Sequence, residues 1–184
     1  MELYVPKSYV KLYSNTKQSK QTLDIISKYI SNNCTITDAT AGIGGNSKLF
    51  SKYFQNLNCV EIYDYAFKIL KQNLNYYNNI KFYCEDYTNI FFKLKQDIIF
   101  LDPPWELNYK YYKNTELYLS GIDIKIMIEQ LVNFTKFICI KCPLNYEVIF
   151  KNWDYTCHYI YKGSKILYKI LMLYNLNENL IKYN

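Results

Sequence analysis

The sequence predicts an α/β fold built on a single, mostly parallel seven-stranded sheet, with helices on both faces and a C-terminal antiparallel hairpin. Three observations carry the prediction. Short apolar runs alternate with stretches of helical period almost throughout the chain, the pattern of strands wrapped by crossover helices. A glycine-rich turn, Asp38-Ala-Thr-Ala-Gly-Ile-Gly-Gly45, stands between the first such run and a helical stretch, where glycine allows a tight connection and close backbone approach. The last two apolar runs are separated only by Lys162-Gly163-Ser164, which is too short for a parallel crossover and suits a hairpin. A chain of 184 residues is expected to form one domain with a substantial core that needs no disulfides.

Residues 19–31 put Leu23, Ile26 and Ile30 on one stripe and predict the first helix. Residues 35–38 form the first strand, 46–54 restart the helical period, 59–62 are strand and 65–77 helix. Strand 80–83, helix 87–93 and strand 97–101 follow. The polar, tyrosine-rich stretch 106–120 is expected to stay mobile until substrate binds. Helix returns over 121–134 and strand over 137–141, with a short helix after Pro143 and final strands at 155–161 and 165–174. Residues 1–18 read as a segment lining a substrate pocket, 19–176 as the domain proper and 177–184 as a frayed tail.

Composition bounds the setting. The net charge of +6 is carried by lysine alone, since there is no arginine, and the chain is crowded with Tyr, Asn and Ile. That bias is the mark of an AT-rich genome, such as that of a large DNA virus or a protist. The basic balance agrees with a polyanionic partner. Lys7, Lys11, Lys110 and Lys113 are candidates to meet phosphates, but no spacing selects among them and a solvated face is the default. Apolar runs are only a few residues long and the first residues lack a signal-peptide pattern, so the expectation is a soluble, intracellular protein of cytoplasm or nucleus, or of host cytoplasm if viral, with no membrane partner. Six cysteines lie mostly within apolar runs and read as reduced core thiols. Cys139-Ile-Lys-Cys142 has metal-ligand spacing, but it is a single such pair, and neighbours Cys157 and His158 point to opposite faces of a strand. No metal is expected, and His158 reads as structural.

The chemistry concentrates in Asp102-Pro103-Pro104-Trp105, directly after Ile98-Ile99-Phe100-Leu101. Two consecutive prolines remove two backbone donors and force the chain out of the sheet as a rigid loop. A carboxylate and the carbonyl of the following proline are both acceptors. They can take the two N–H bonds of an exocyclic nucleobase amine and favour a tetrahedral nitrogen whose lone pair faces an incoming methyl group. Positive charge develops on that nitrogen during transfer, and fixed acceptors stabilise it without reorganising. Trp105 offers a flat face for a base. This reads as amine methylation by S-adenosylmethionine.

Ligands of such sheets collect at the carboxyl ends of the strands. There the turn carries Asp38, Ala39, Thr40, Gly42, Gly44 and Asn46 toward the donor. Glu61, about twenty residues downstream of the turn, suits the ribose hydroxyls, with Asp64 in reserve. Asp86 can reach the adenine amine and Tyr87 flank the ring, or either can cap the next helix.

The stretches 38–46, 68–73, 82–86 and 97–105 together resemble a Rossmann-like class I methyltransferase domain, and within that class the trimethylguanosine synthase family. Gly44-Gly45-Asn46 and Pro103-Pro104-Trp105 carry the family resemblance. It implies methyl transfer to the guanine N2 of a 7-methylguanosine RNA cap, with Trp105 stacking on the cationic base. Tyr9 or Tyr13 is then a candidate second wall, though a core role is an equal reading. The N-terminal segment is shorter than in the family, which leaves room for a protein partner that completes the pocket. Asp102 stands where the family usually has Ser and as adenine amino-methyltransferases usually have Asp. Transfer to guanine N2 or adenine N6 of ribosomal RNA, transfer RNA or DNA therefore remains an alternative, and a non-catalytic RNA-binding subunit is a third.

Overall fold

The computed structural model describes residues 2–10, 13–105 and 109–176. Lys11, the start of the tyrosine-rich stretch and the tail at 177–184 lie outside the described residues. The chain forms helix α1 (Thr16–Ile26), strand β1 (Thr35–Asp38), α2 (Ser47–Tyr53), β2 (Asn56–Val60), α3 (Asp64–Leu74), β3 (Ile80–Tyr83), α4 (Tyr87–Ile90) and β4 (Ile98–Leu101). A two-strand ribbon, β5 (Tyr118–Leu119) and β6 (Ile122–Asp123), precedes α5 (Ile124–Gln130), β7 (Phe137–Cys142), β8 (Trp153–Lys162) and β9 (Lys165–Asn175). The main sheet has seven strands in the order β3-β2-β1-β4-β7-β9-β8. Its first five strands are parallel, and β9 runs antiparallel to both β7 and β8.

Strand alternation sends neighbouring side chains to two separate cores. Ile36, Leu57, Cys59, Ile98, Phe100 and Cys139 pack against α1, α2 and α3. Ile99, Leu101, Ile138, Ile140 and Cys142 pack against α4 and α5. Cys139 and Cys142 thus lie on opposite faces of β7, which separates the one pair with metal-ligand spacing. His158 Nε2 is 2.6 Å from the Tyr29 hydroxyl, so the lone histidine ties β8 to the end of α1. Among the described residues no helix is long and apolar enough to cross a membrane.

Several boundaries differ from the sequence expectation, each for a local reason. Helix α1 starts at Thr16 because Asn15 caps it, accepting from the Lys17 and Gln18 amides while the Gln18 side chain accepts from Asn15 N–H. Helix α5 starts at Ile124 instead of Gly121 because Ile122 and Asp123 pair with Leu119 and Tyr118. Ser120 and Gly121 make that turn at φ of 51° and 79°. No helix follows Pro143. A single turn closes there, Tyr146 N–H to Pro143 O, after which Tyr146 and Phe150 are drawn into the core and the chain runs on toward β8. The described part of the tyrosine-rich stretch is joined by hydrogen bonds to the segment after Pro143. Asn145 Nδ2 donates to the Tyr109 and Tyr112 carbonyls, and Thr115 and Leu117 are buried.

Candidate active site

The carboxyl ends of β1, β2 and β4 open onto one cleft of about 790 Å³. Its walls include the turn residues 39–43, Gly45 and Asn46, then Glu61, Asp86, Tyr87 and residues 102–105, with Tyr9 and Tyr13 from the N-terminal arm. Most of the sequence-predicted set therefore converges. Three members do not. Asp64 lies on the exposed start of α3 and pairs with Lys68, away from the cleft. Gly44, at φ 96°, turns toward α3, where a Cβ would sit 2.9 Å from Leu74 Cδ1, so its role is to let the turn pack. Asp38 is buried beneath the wall, accepting from Ser47 Oγ at 2.5 Å. Burial pushes its carboxyl up to about 7, against the Ser47 hydroxyl, which favours the anion.

Glu61 is fixed by backbone. Gly42 N–H donates to Oε2 and Tyr63 N–H to Oε1, each at 2.8 Å. Gly42 can present its amide there because it adopts φ 55°, a conformation that costs glycine nothing. Burial raises the Glu61 carboxyl, opposed by the Tyr63 and Gly42 amides. Each oxygen keeps acceptor capacity for a ligand hydroxyl. Asp86 does cap α4, its Oδ1 accepting from Thr88 N–H and Thr88 Oγ1, yet it still faces the cleft. Burial opposes its ionisation, but hydrogen bonds from Ser120 and Thr88 prevail and its carboxyl is held low. Tyr87 is buried, its hydroxyl donating to Gln96 Oε1 at 3.1 Å, so it supports the floor of the cleft. Asn46 Oδ1 is buried in the turn with no hydrogen-bond partner.

The loop after β4 is pinned to the glycine turn. Asp102 N–H donates to Thr40 Oγ1 at 2.8 Å, which couples the candidate catalytic carboxylate to the donor turn. Trp105 is half-buried and meets Tyr109 and Tyr168 edge-on, with centroids 5.3 and 5.9 Å apart. Its indole N–H is enclosed without a partner. The ring thus lines the cleft while packing into the domain. Tyr9 and Tyr13 also do two things, lining the cleft and packing against Ile43, Ala66 and Ile69.

Two residues escaped the sequence reading. Lys141, buried near the end of β7, places Nζ 2.6 Å from Asp102 Oδ2 and 3.1 Å from Ser14 Oγ. Ser14 is buried beside Gly45, so closely that a Cβ on Gly45 would lie 2.6 Å from Ser14 O. A lone lysine in the apolar run Phe137-Ile-Cys-Ile-Lys-Cys142 was the available signal, because a buried ammonium requires a partner. The floor thus brings three carboxyl groups together, Asp102 paired with the Lys141 ammonium and Asp38 raised further by the nearby Asp102 and Glu61.

Comparison with known proteins shows the family and the fold. Residues 33–179 match the family model described as RNA cap guanine-N2 methyltransferase. An uncharacterized protein of Acanthamoeba polyphaga mimivirus is 33% identical over 120 residues, 61% of this chain and 47% of that protein, so the match spans about half the length of that relative. Among solved structures, an rRNA methylase from Streptococcus thermophilus superposes with TM-score 0.61 at 10% identity, over 88% of this chain and 98% of that one. A Streptococcus mutans protein in complex with SAH superposes with TM-score 0.60 at 12% identity, over 89% and 100%.

Proposed function

Because the chain belongs to the RNA cap guanine-N2 methyltransferase family, we propose that it methylates the exocyclic N2 amine of a 7-methylguanosine RNA cap. The methyl donor is S-adenosylmethionine, and the residues present fit it. Glu61 offers two anchored acceptor oxygens for vicinal hydroxyls. Asn46 Oδ1 is an unpartnered acceptor inside the turn, suited to the donor's ammonium. Bound donor supplies an electrophilic methyl group on a sulfonium sulfur.

The chain's own residues supply the rest. Asp102 Oδ1 and the Pro103 carbonyl accept from the amine and orient its lone pair. The Thr40 hydroxyl holds the loop in register with the donor turn. Trp105, Tyr9 and Tyr13 border the acceptor's space and exclude water from it. The observation that carries this reading is the meeting of Asp102 with the donor turn in one cleft, through the Asp102 to Thr40 hydrogen bond. The product amine's proton leaves to water, which is why the single histidine, far off on β8, is not needed.

One observation favours a second reading. Asp102 is the acid usual in adenine amino-methyltransferases, and the Streptococcus thermophilus neighbour is an rRNA methylase. Transfer to guanine N2 or adenine N6 of ribosomal RNA, transfer RNA or DNA is its content. The test is transfer of labelled methyl from S-adenosylmethionine to a 7-methylguanosine cap dinucleotide, beside an unmethylated cap, uncapped RNA and adenine-containing DNA. Label on the methylated cap alone supports the cap reading, and label on another acceptor replaces it with the second. Donor binding without any transfer points to a protein partner that completes the pocket or to an untested acceptor, and loss of donor binding in a titration points to the non-catalytic reading.

A further inference from the structure

We infer that Lys141 is a positioning residue for methyl transfer, acting through Asp102. The inference rests on the assignment of Asp102 as the carboxylate that orients the acceptor amine. Lys141 lies on β7, the strand next to β4, and its ammonium reaches Asp102 Oδ2 at 2.6 Å. The same nitrogen meets Ser14 Oγ at 3.1 Å and sits 5.6 Å from the Trp105 ring centroid and 4.9 Å from that of Tyr168. With Oδ2 so engaged, Oδ1 is the oxygen left to face an amine. A carboxylate on a short side chain after a strand end otherwise rotates freely about its terminal torsion. A charge-assisted hydrogen bond from a buried ammonium removes that freedom before substrate arrives.

The arrangement also explains why a charge is tolerated at a buried position of an apolar strand. Lys141 is satisfied by one anion, one hydroxyl and two ring faces, the combination that a buried ammonium needs. Through Ser14 the lysine further ties the catalytic loop to the arm that presses on Gly45. Loop, arm and donor turn therefore share one electrostatic joint.

The test is a double-mutant cycle on single-turnover methyl transfer, read with donor affinity. The acceptor is whichever of the probes above takes label. Lys141→Met is expected to lower turnover ~10–100-fold, the size of loss seen when the hydrogen-bonded partner that orients a metal ligand is removed, with donor affinity changed less than about twofold. Lys141→Arg, which keeps the charge, is expected to recover part of the loss. Asp102→Asn with Lys141→Met should be no slower than Asp102→Asn alone, because both changes interrupt one chain of action. Wild-type turnover in Lys141→Met, or losses that multiply in the double variant, overturns the inference and leaves the Asp102 assignment standing. Wild-type turnover in Asp102→Asn overturns the assignment itself. If Lys141→Met loses its fold, judged by donor binding and melting, Lys141→Gln takes its place in the same cycle with the same outcomes.

Discussion

Asp38 and Asp102 stand at the ends of adjacent parallel strands, and their surroundings give them different work. Asp102 is turned to the cleft and paired with Lys141. Asp102→Ala is expected to cost ~2–4 kcal/mol of transition-state stabilisation, seen as reduced turnover with donor affinity retained in a binding titration. Asp38 is enclosed with only the Ser47 hydroxyl as side-chain partner. Its carboxyl is raised to about 7 by burial, so the native state holds this proton more tightly than the unfolded chain does. The stabilisation is complete below the unfolded value near 4 and is lost as pH climbs through about 7. Asp38→Asn cannot lose it. The melting temperature of the variant should therefore gain on that of the wild type between pH 5 and 8, and a constant difference would show that Asp38 is not titrating there. Trp105→Ala should weaken acceptor binding and also lower the melting temperature, because the ring packs on Tyr109 and Tyr168 as well as lining the cleft. An acceptor effect without a stability cost would restore the simple stacking role expected from the sequence.

Among the elements, those with clear local punctuation were legible and those shaped by distant partners were not. Strands β1 and β3 fall where the sequence places them, each shortly after a pair of asparagines that follows the preceding helix. The hairpin of β8 and β9 is there too, with Gly163 at φ 61° in its turn. The Pro103-Pro104 loop and the glycine turn were readable because proline and glycine declare backbone geometry on their own. Lys141 and Ser14 were not, because nothing local states that β7 lies beside β4 or that the arm crosses the turn. The ribbon β5–β6 was missed since its pairing depends on a two-residue turn at positive φ, only half of which is glycine. Element-level energetics can be checked at two joints. Asp86→Ala removes the cap of α4 and is expected to cost ~1 kcal/mol, measured by denaturant unfolding. Asn73 Oδ1 accepts from Tyr4 N–H, and its Nδ2 donates to the Tyr4 and Ile43 carbonyls. Asn73→Ala should cost ~1–3 kcal/mol through the polar groups it strands, and should expose the N-terminal arm to limited proteolysis ahead of global unfolding.

For the whole molecule, the sheet order puts the residues of the candidate cleft at the carboxyl ends of the strands. Donor binding should accordingly stabilise the domain as a unit. At about one hundred times its dissociation constant, S-adenosylmethionine is expected to add ~2.7 kcal/mol, read as a rise in melting temperature that Glu61→Ala diminishes. Tyr168 gives this architecture a temporal meaning. It belongs to β9, yet its ring lies against Trp105 and beneath the Lys141 ammonium. A ribosome that has released everything through the catalytic loop has made each motif residue, but β9 must still insert between β7 and β8 before the loop has its backing. Once β9 is made the loop is expected to gain its backing, and a chain truncated before β9 is expected to carry every motif residue of the proposed site without it.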